Sequence, residues 1–145
     1  MDLSLFGSLF QSFPRPVIQT LDQLLTMCYT TYSVEPKSKA QIIDGTIRAR
    51  VRVAAGSIWF DGHFPGFPVL PGVAQLAMVV AVLEEALETR VRVIDVSRVR
   101  FKLAVLPGQE LSVRITPKES DPRTYKFRLM KGQELACTGC LKVAV

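Results

Sequence analysis

The chain has one histidine in 145 residues. Any chemistry that needs an imidazole titrating near neutral pH therefore rests on His63. Cysteine is scarce and odd in number, three in all, which argues against a disulfide framework and makes a reducing, cytoplasmic setting the expectation. Cys137 and Cys140 do form a C-x-x-C, but they lie in a strand-like run with no second Cys pair, so neither zinc binding nor redox chemistry is expected. No apolar run reaches the roughly 18 to 20 residues of a membrane span. No basic region follows Met1-Asp2, and Ser, Gly and Gln interrupt the first apolar residues, which speaks against a secretory signal. Aromatics are 8% of the chain, with no basic tail and no aromatic RNA-binding motif, so nucleic acid is not an expected partner. The net charge of +5 and pI near 9.4 still favour acidic partners in general.

What is present is an ordinary globular composition, 48% hydrophobic and 21% charged, in a chain long enough to bury a core as one domain. No internal repeat or linker is visible. Residues 1–36 read as an N-terminal arm and short helix, and residues 37–145 as the main domain. In the arm, Leu3, Leu5, Phe6, Leu9, Phe10 and Phe13 precede Pro14 and Pro16 and suit packing on the domain or on a neighbouring subunit. Leu21, Leu24, Leu25 and Cys28 then fall at helical spacing, and residues 29–36 suit an edge strand.

From Thr46 to Val53 the alternation is clean, with Ile47, Ala49, Val51 and Val53 on one face and Arg48, Arg50 and Arg52 on the other. That is a half-buried strand with a basic outer face. Four more alternating stretches, residues 91–103, 110–116, 123–130 and 134–145, are punctuated by Pro107-Gly108, Ser120-Asp121-Pro122 and Lys131-Gly132. Short turns between them imply an antiparallel sheet. From Pro71 to about Leu87 the chain is apolar almost all round until Glu84 and Glu85, the pattern of a buried helix. The expected fold class is α+β, a curved antiparallel sheet wrapped around one buried helix.

Everything converges on the loop that feeds this helix, Phe60-Asp61-Gly62-His63-Phe64-Pro65-Gly66-Phe67-Pro68-Val69-Leu70-Pro71-Gly72-Val73. Pro71 suits the first helical position and leaves the Gly72 and Val73 amides facing outward, where an anionic or polarised oxygen would bind.

The run Gly62-His63-Phe64-Pro65-Gly66, followed by Pro68-Val69-Leu70-Pro71-Gly72-Val73, resembles the signature of the β-hydroxyacyl-acyl-carrier-protein dehydratases, the FabA/FabZ class of hotdog-fold proteins. Val99-Arg100-Phe101-Lys102 through Val105-Leu106-Pro107-Gly108-Gln109-Glu110-Leu111 resembles the family's next strand and turn. The likeness spans roughly residues 44–145. It implies a hotdog fold, usually dimeric with sites in the interface, and reversible loss of water from a 3-hydroxyacyl thioester. The substrate would be carried on the phosphopantetheine of acyl carrier protein or on coenzyme A, with no other cofactor. By the same resemblance His63 is the base that takes the proton α to the thioester. The Gly72 amide polarises the thioester oxygen, with Val73 and Ala77 beside it, and Phe64 and Gly66 shape the turn at the substrate. An acidic carrier would suit the basic balance, and Arg48, Arg50, Arg52, Arg98, Arg100 or Lys102 could help dock it.

The likeness fails at two places. Fourteen positions after the histidine, where the family carries Asp or Glu, this chain has Ala77, and alanine cannot assist departure of the hydroxyl. Among its neighbours, Asp61 suits the turn, Gln75 has no acidic proton, and Glu84 and Glu85 lie two turns along. The family's usual stretch before its first strand is also replaced by Phe13-Pro14-Arg15-Pro16. Two functions follow as expectations: a dehydratase with a departed acid, or a non-catalytic acyl-carrier or acyl-binding subunit. The latter would pair with an active homologue, while the former would assemble as a homodimer or larger hotdog array.

Overall fold

In the computed structural model, residues 34–36, 39–53, 70, 72–106 and 108–144 are described. The readings made for residues 1–33 lie outside them. Among these described residues, seven strands and one helix follow in order: β1 (Val34–Pro36), β2 (Gln41–Ile43), β3 (Thr46–Val53), α1 (Gly72–Leu87), β4 (Arg92–Phe101), β5 (Glu110–Pro117), β6 (Thr124–Lys131) and β7 (Glu134–Ala144). All seven belong to one antiparallel sheet, ordered β1-β3-β5-β6-β7-β4, with β2 paired to β3 off that path. The Thr46–Val53 strand and the buried helix stand where the alternation and the apolar run place them.

Two turns show why strands so close in sequence pair in register. Asp44 and Gly45 both take positive φ, 51° and 77°, and set Ile43 opposite Thr46. This is the type I′ hairpin that an Asp-Gly pair favours, because its twist matches that of the flanking strands. At the other end of the sheet, Gly132 has a φ of 62° and brings Lys131 opposite Glu134.

The helix lies in the core. Eleven of its residues, from Gly72 through Leu83, are buried, facing Ile47, Ala49, Val51, Leu111, Val113, Ile115, Phe127 and Leu141 from the sheet's inner face. Each large apolar side chain so buried stabilises the fold by about 1.5–3 kcal/mol. The helix ends at Glu88, whose φ of 54° is left-handed, with Thr89 N donating back to Glu84 O at 3.3 Å, a Schellman-type stop. At 16 residues α1 is too short to cross a membrane, and among the described residues no helix is long and apolar enough to do so.

The outer face of the sheet is basic. Arg48, Arg114 and Arg128 stand directly opposite one another on β3, β5 and β6, with Lys126 on the same face. A bulge between Ser97 and Arg100 in β4 puts Arg98 at a φ of 55° and adds it to the same groove. On β7 the C-x-x-C spacing splits its two cysteines. Cys137 lies within the core and pairs with Leu129, whereas Cys140 pairs with Lys126 on the outer row. Residues three apart on a strand point to opposite faces and sit about 10 Å apart, too far for a disulfide or a shared metal.

Candidate active site

The helix start is held by the segment that follows β4. Leu70 N donates to Val105 O at 2.8 Å, and the Phe101 ring lies against Gly72. A Cβ built on Gly72 would come within 2.4 Å of Phe101 Cζ, so any larger residue here forces the ring to shift. The β4 end is fixed in turn by Lys102 N, which donates to Ala136 O at 2.8 Å. The described parts of the two stretches that carry the family likeness, Leu70 and Gly72 in the first and Phe101 and Val105 in the second, thus meet at the first turn of α1.

By helix geometry the first amides of α1 have no acceptor within the helix. The helix dipole adds partial positive charge there, and the first turn carries no acidic side chain to neutralise it. An oxygen that gains negative charge during a reaction is the natural partner of such a site.

His63, Phe64 and Gly66 lie outside the described residues, as do Asp61 and Pro71. Gly72, Val73 and Ala77 are described, and all three are buried. Val73 and Ala77, four apart, share one face of the helix. Ala77 is 2% exposed and belongs to the apolar core. The next acid on that face is Glu84, about 10 Å further along at 1.5 Å per residue. Glu84 is already engaged, its Oε2 accepting from Val91 N at 2.9 Å, where it caps the entry to β4. Glu85 Oε1 accepts from Ala40 N at 3.2 Å. Both carboxylates anchor other parts of the fold, and neither reaches the helix start.

The first turn also contains a feature that a search for acids passes over. Gln75 is 3% exposed, the one buried polar side chain among the described residues. Its Nε2 donates to Leu70 O at 3.5 Å, and its Oε1 has no hydrogen-bond partner. A glutamine within the otherwise apolar run from Gly72 to Leu83 is the signal of it in the sequence.

The family model described as ApeI-like dehydratase matches residues 38–140. A 3-hydroxyacyl-[acyl-carrier-protein] dehydratase FabZ of Pelotomaculum thermopropionicum is 35% identical over 102 residues, covering 64% of this chain and 73% of that protein. The FabZ of Roseobacter denitrificans is 34% identical over 123 residues, covering 76% and 79%. Among solved structures, the dehydratase heterocomplex ApeI:P from Xenorhabdus doucetiae superposes with a TM-score of 0.66 at 26% identity, over 77% of this chain and 97% of that one.

Proposed function

The chain belongs to the ApeI-like dehydratase family, with the α+β hotdog fold, and from that premise we propose that it acts on 3-hydroxyacyl thioesters. In the reaction, the proton on C2 passes to His63, the C3–O bond breaks, and the hydroxyl leaves as water with a proton supplied to it. The charge that develops on the thioester oxygen falls to the Gly72 and Val73 amides. The observation that carries this reading is the helix start: amides with no acceptor within the helix, at the end of a buried dipole whose first turn carries no acidic side chain, beside the described parts of the two family segments.

Each element contributes separately to the barrier. A positioned base supplies a factor of about 10²–10⁴, and each oxyanion donor about 10²–10³. Loss of the acid at position 77 therefore slows the reaction without removing the rest. The acyl group arrives on an acidic carrier protein or on coenzyme A, and the basic outer sheet suits the former.

Ala77 also favours a second reading, in which this chain is the partner of an active homologue that supplies the carboxylate across a dimer interface. Relevant here is that the similar solved structure is described as a heterocomplex. Purified protein given 3-hydroxyacyl and trans-2-enoyl thioesters decides between them. Turnover by the protein alone that is lost in His63→Ala establishes the first. Absence of turnover alone, with activity on adding a hotdog homologue that carries the helix acid, establishes the second. If neither condition gives turnover and no acyl thioester binds, both are wrong.

A further inference from the structure

Gln75 Oε1 is a hydrogen-bond acceptor in a nearly water-free place with nothing donating to it. Leaving such an atom unsatisfied costs about 1–3 kcal/mol, and an apolar side chain of similar size would avoid that cost. The amide's orientation is not arbitrary. Nε2 faces Leu70 O, and exchanging the two ends would set two oxygens against each other and leave both unsatisfied. Side chains of an α-helix lean towards its N-terminus. The contact with Leu70 O confirms that lean and places the amide at the helix start, on the Gly72 side. Two residues on, Ala77 points to a different face, so Gln75 does not stand in for the missing carboxylate.

The helix start therefore offers two complementary kinds of group: amide donors at Gly72 and Val73, and one acceptor at Gln75. A 3-hydroxyacyl group presents the matching pair. Its thioester oxygen accepts, and its 3-hydroxyl is the one donor within the acyl portion. Resting on the function proposed above, we infer that Gln75 Oε1 accepts a hydrogen bond from the substrate's 3-hydroxyl, making Gln75 a positioning residue and the basis of selection for hydroxylated acyl chains. It binds the hydroxyl hydrogen and turns the oxygen's lone pair away, towards whichever group delivers the proton. In the hydration direction the same oxygen holds the incoming water.

The test is binding, which does not require turnover. Calorimetric titration of the full chain with 3-hydroxyhexanoyl-pantetheine and with hexanoyl-pantetheine is expected to show about tenfold tighter binding of the hydroxylated ligand, the factor for one well-made hydrogen bond. In Gln75→Leu the preference is expected to disappear while affinity for hexanoyl-pantetheine is retained. Gln75→Met provides the same test should leucine's branch not fit. Equal affinities of the unmodified protein for the two ligands, as would follow if a structural water satisfies Oε1, overturn the inference and leave the proposed function standing. A preference that survives in the Leu or Met variant also overturns it. Failure of either ligand to bind overturns both.

Discussion

Asp121 illustrates how one side chain fixes a turn. Its Oδ2 accepts from the Thr124 hydroxyl at 2.9 Å and its Oδ1 from Arg123 N at 3.1 Å, so the carboxylate replaces backbone partners that the chain reversal into β6 leaves without bonds. The Thr124 hydroxyl is the foremost cause that lowers its pKa below the usual 3.8, followed by the Arg123 amide, with Lys142 and the Arg123 side chain adding attraction. A depressed folded pKa contributes stability that is complete above the unfolded value and lost as pH falls through the folded one. Asp121→Asn should therefore melt at a lower temperature than the parent at neutral pH. The gap should narrow once pH drops below 3.8, as followed by thermal unfolding across a pH series. A gap that stays constant through the acid range would show that charge is not what the turn uses.

At the scale of elements, the docking of α1 on β4 rests on the missing side chain of Gly72. In Gly72→Ala the new methyl group overlaps the Phe101 ring, and overpacking of this kind costs about 1–3 kcal/mol. Phe101→Leu in the same chain should recover part of the loss, because the smaller side chain opens the space. Chemical denaturation of the two single variants and the double variant would measure this coupling, and strictly additive losses would mean that the ring is not the obstacle. This contact also marks a limit of what the sequence shows. The Thr46–Val53 strand, the four later strands and the helix are all legible, because period-2 and all-apolar patterns leave few alternatives. The short β2 strand is not, since all three of its residues are exposed and Ile42 is 60% exposed, so no alternation marks it. The Asp44-Gly45 pair was its one clue. Of the candidate site, the helix start and the alanine at 77 can be read from spacing. The Phe101 ring on Gly72 and the orphaned oxygen of Gln75 cannot, because both arise from residues that packing brings together.

For the whole molecule, the charge distribution matters more than its sum. Three arginines facing one another across adjacent strands repel, and like charges directly opposite destabilise a sheet by about 0.2–1 kcal/mol per pair. Added salt screens that repulsion, so the protein should become more stable between low and physiological ionic strength. Arg114→Thr, which removes both like-charge pairs, should be more stable than the parent at low salt, by about 0.4–2 kcal/mol, with the advantage fading as salt is added. Urea denaturation at several salt concentrations measures both effects. A parent that loses stability with salt would show that the arginine row is held by attractions that outweigh the repulsion.

Gly139 and Phe127 pair directly across β7 and β6, and a Cβ on Gly139 would come within 2.7 Å of the Phe127 Cζ and 2.8 Å of Val99 Cγ2. Phe127 is fully buried and has no room to move aside. In evolutionary terms the three positions form a single inherited unit: a lineage can acquire alanine at 139 only after the ring at 127 and the valine at 99 have both yielded space. The order of those substitutions is set by volume.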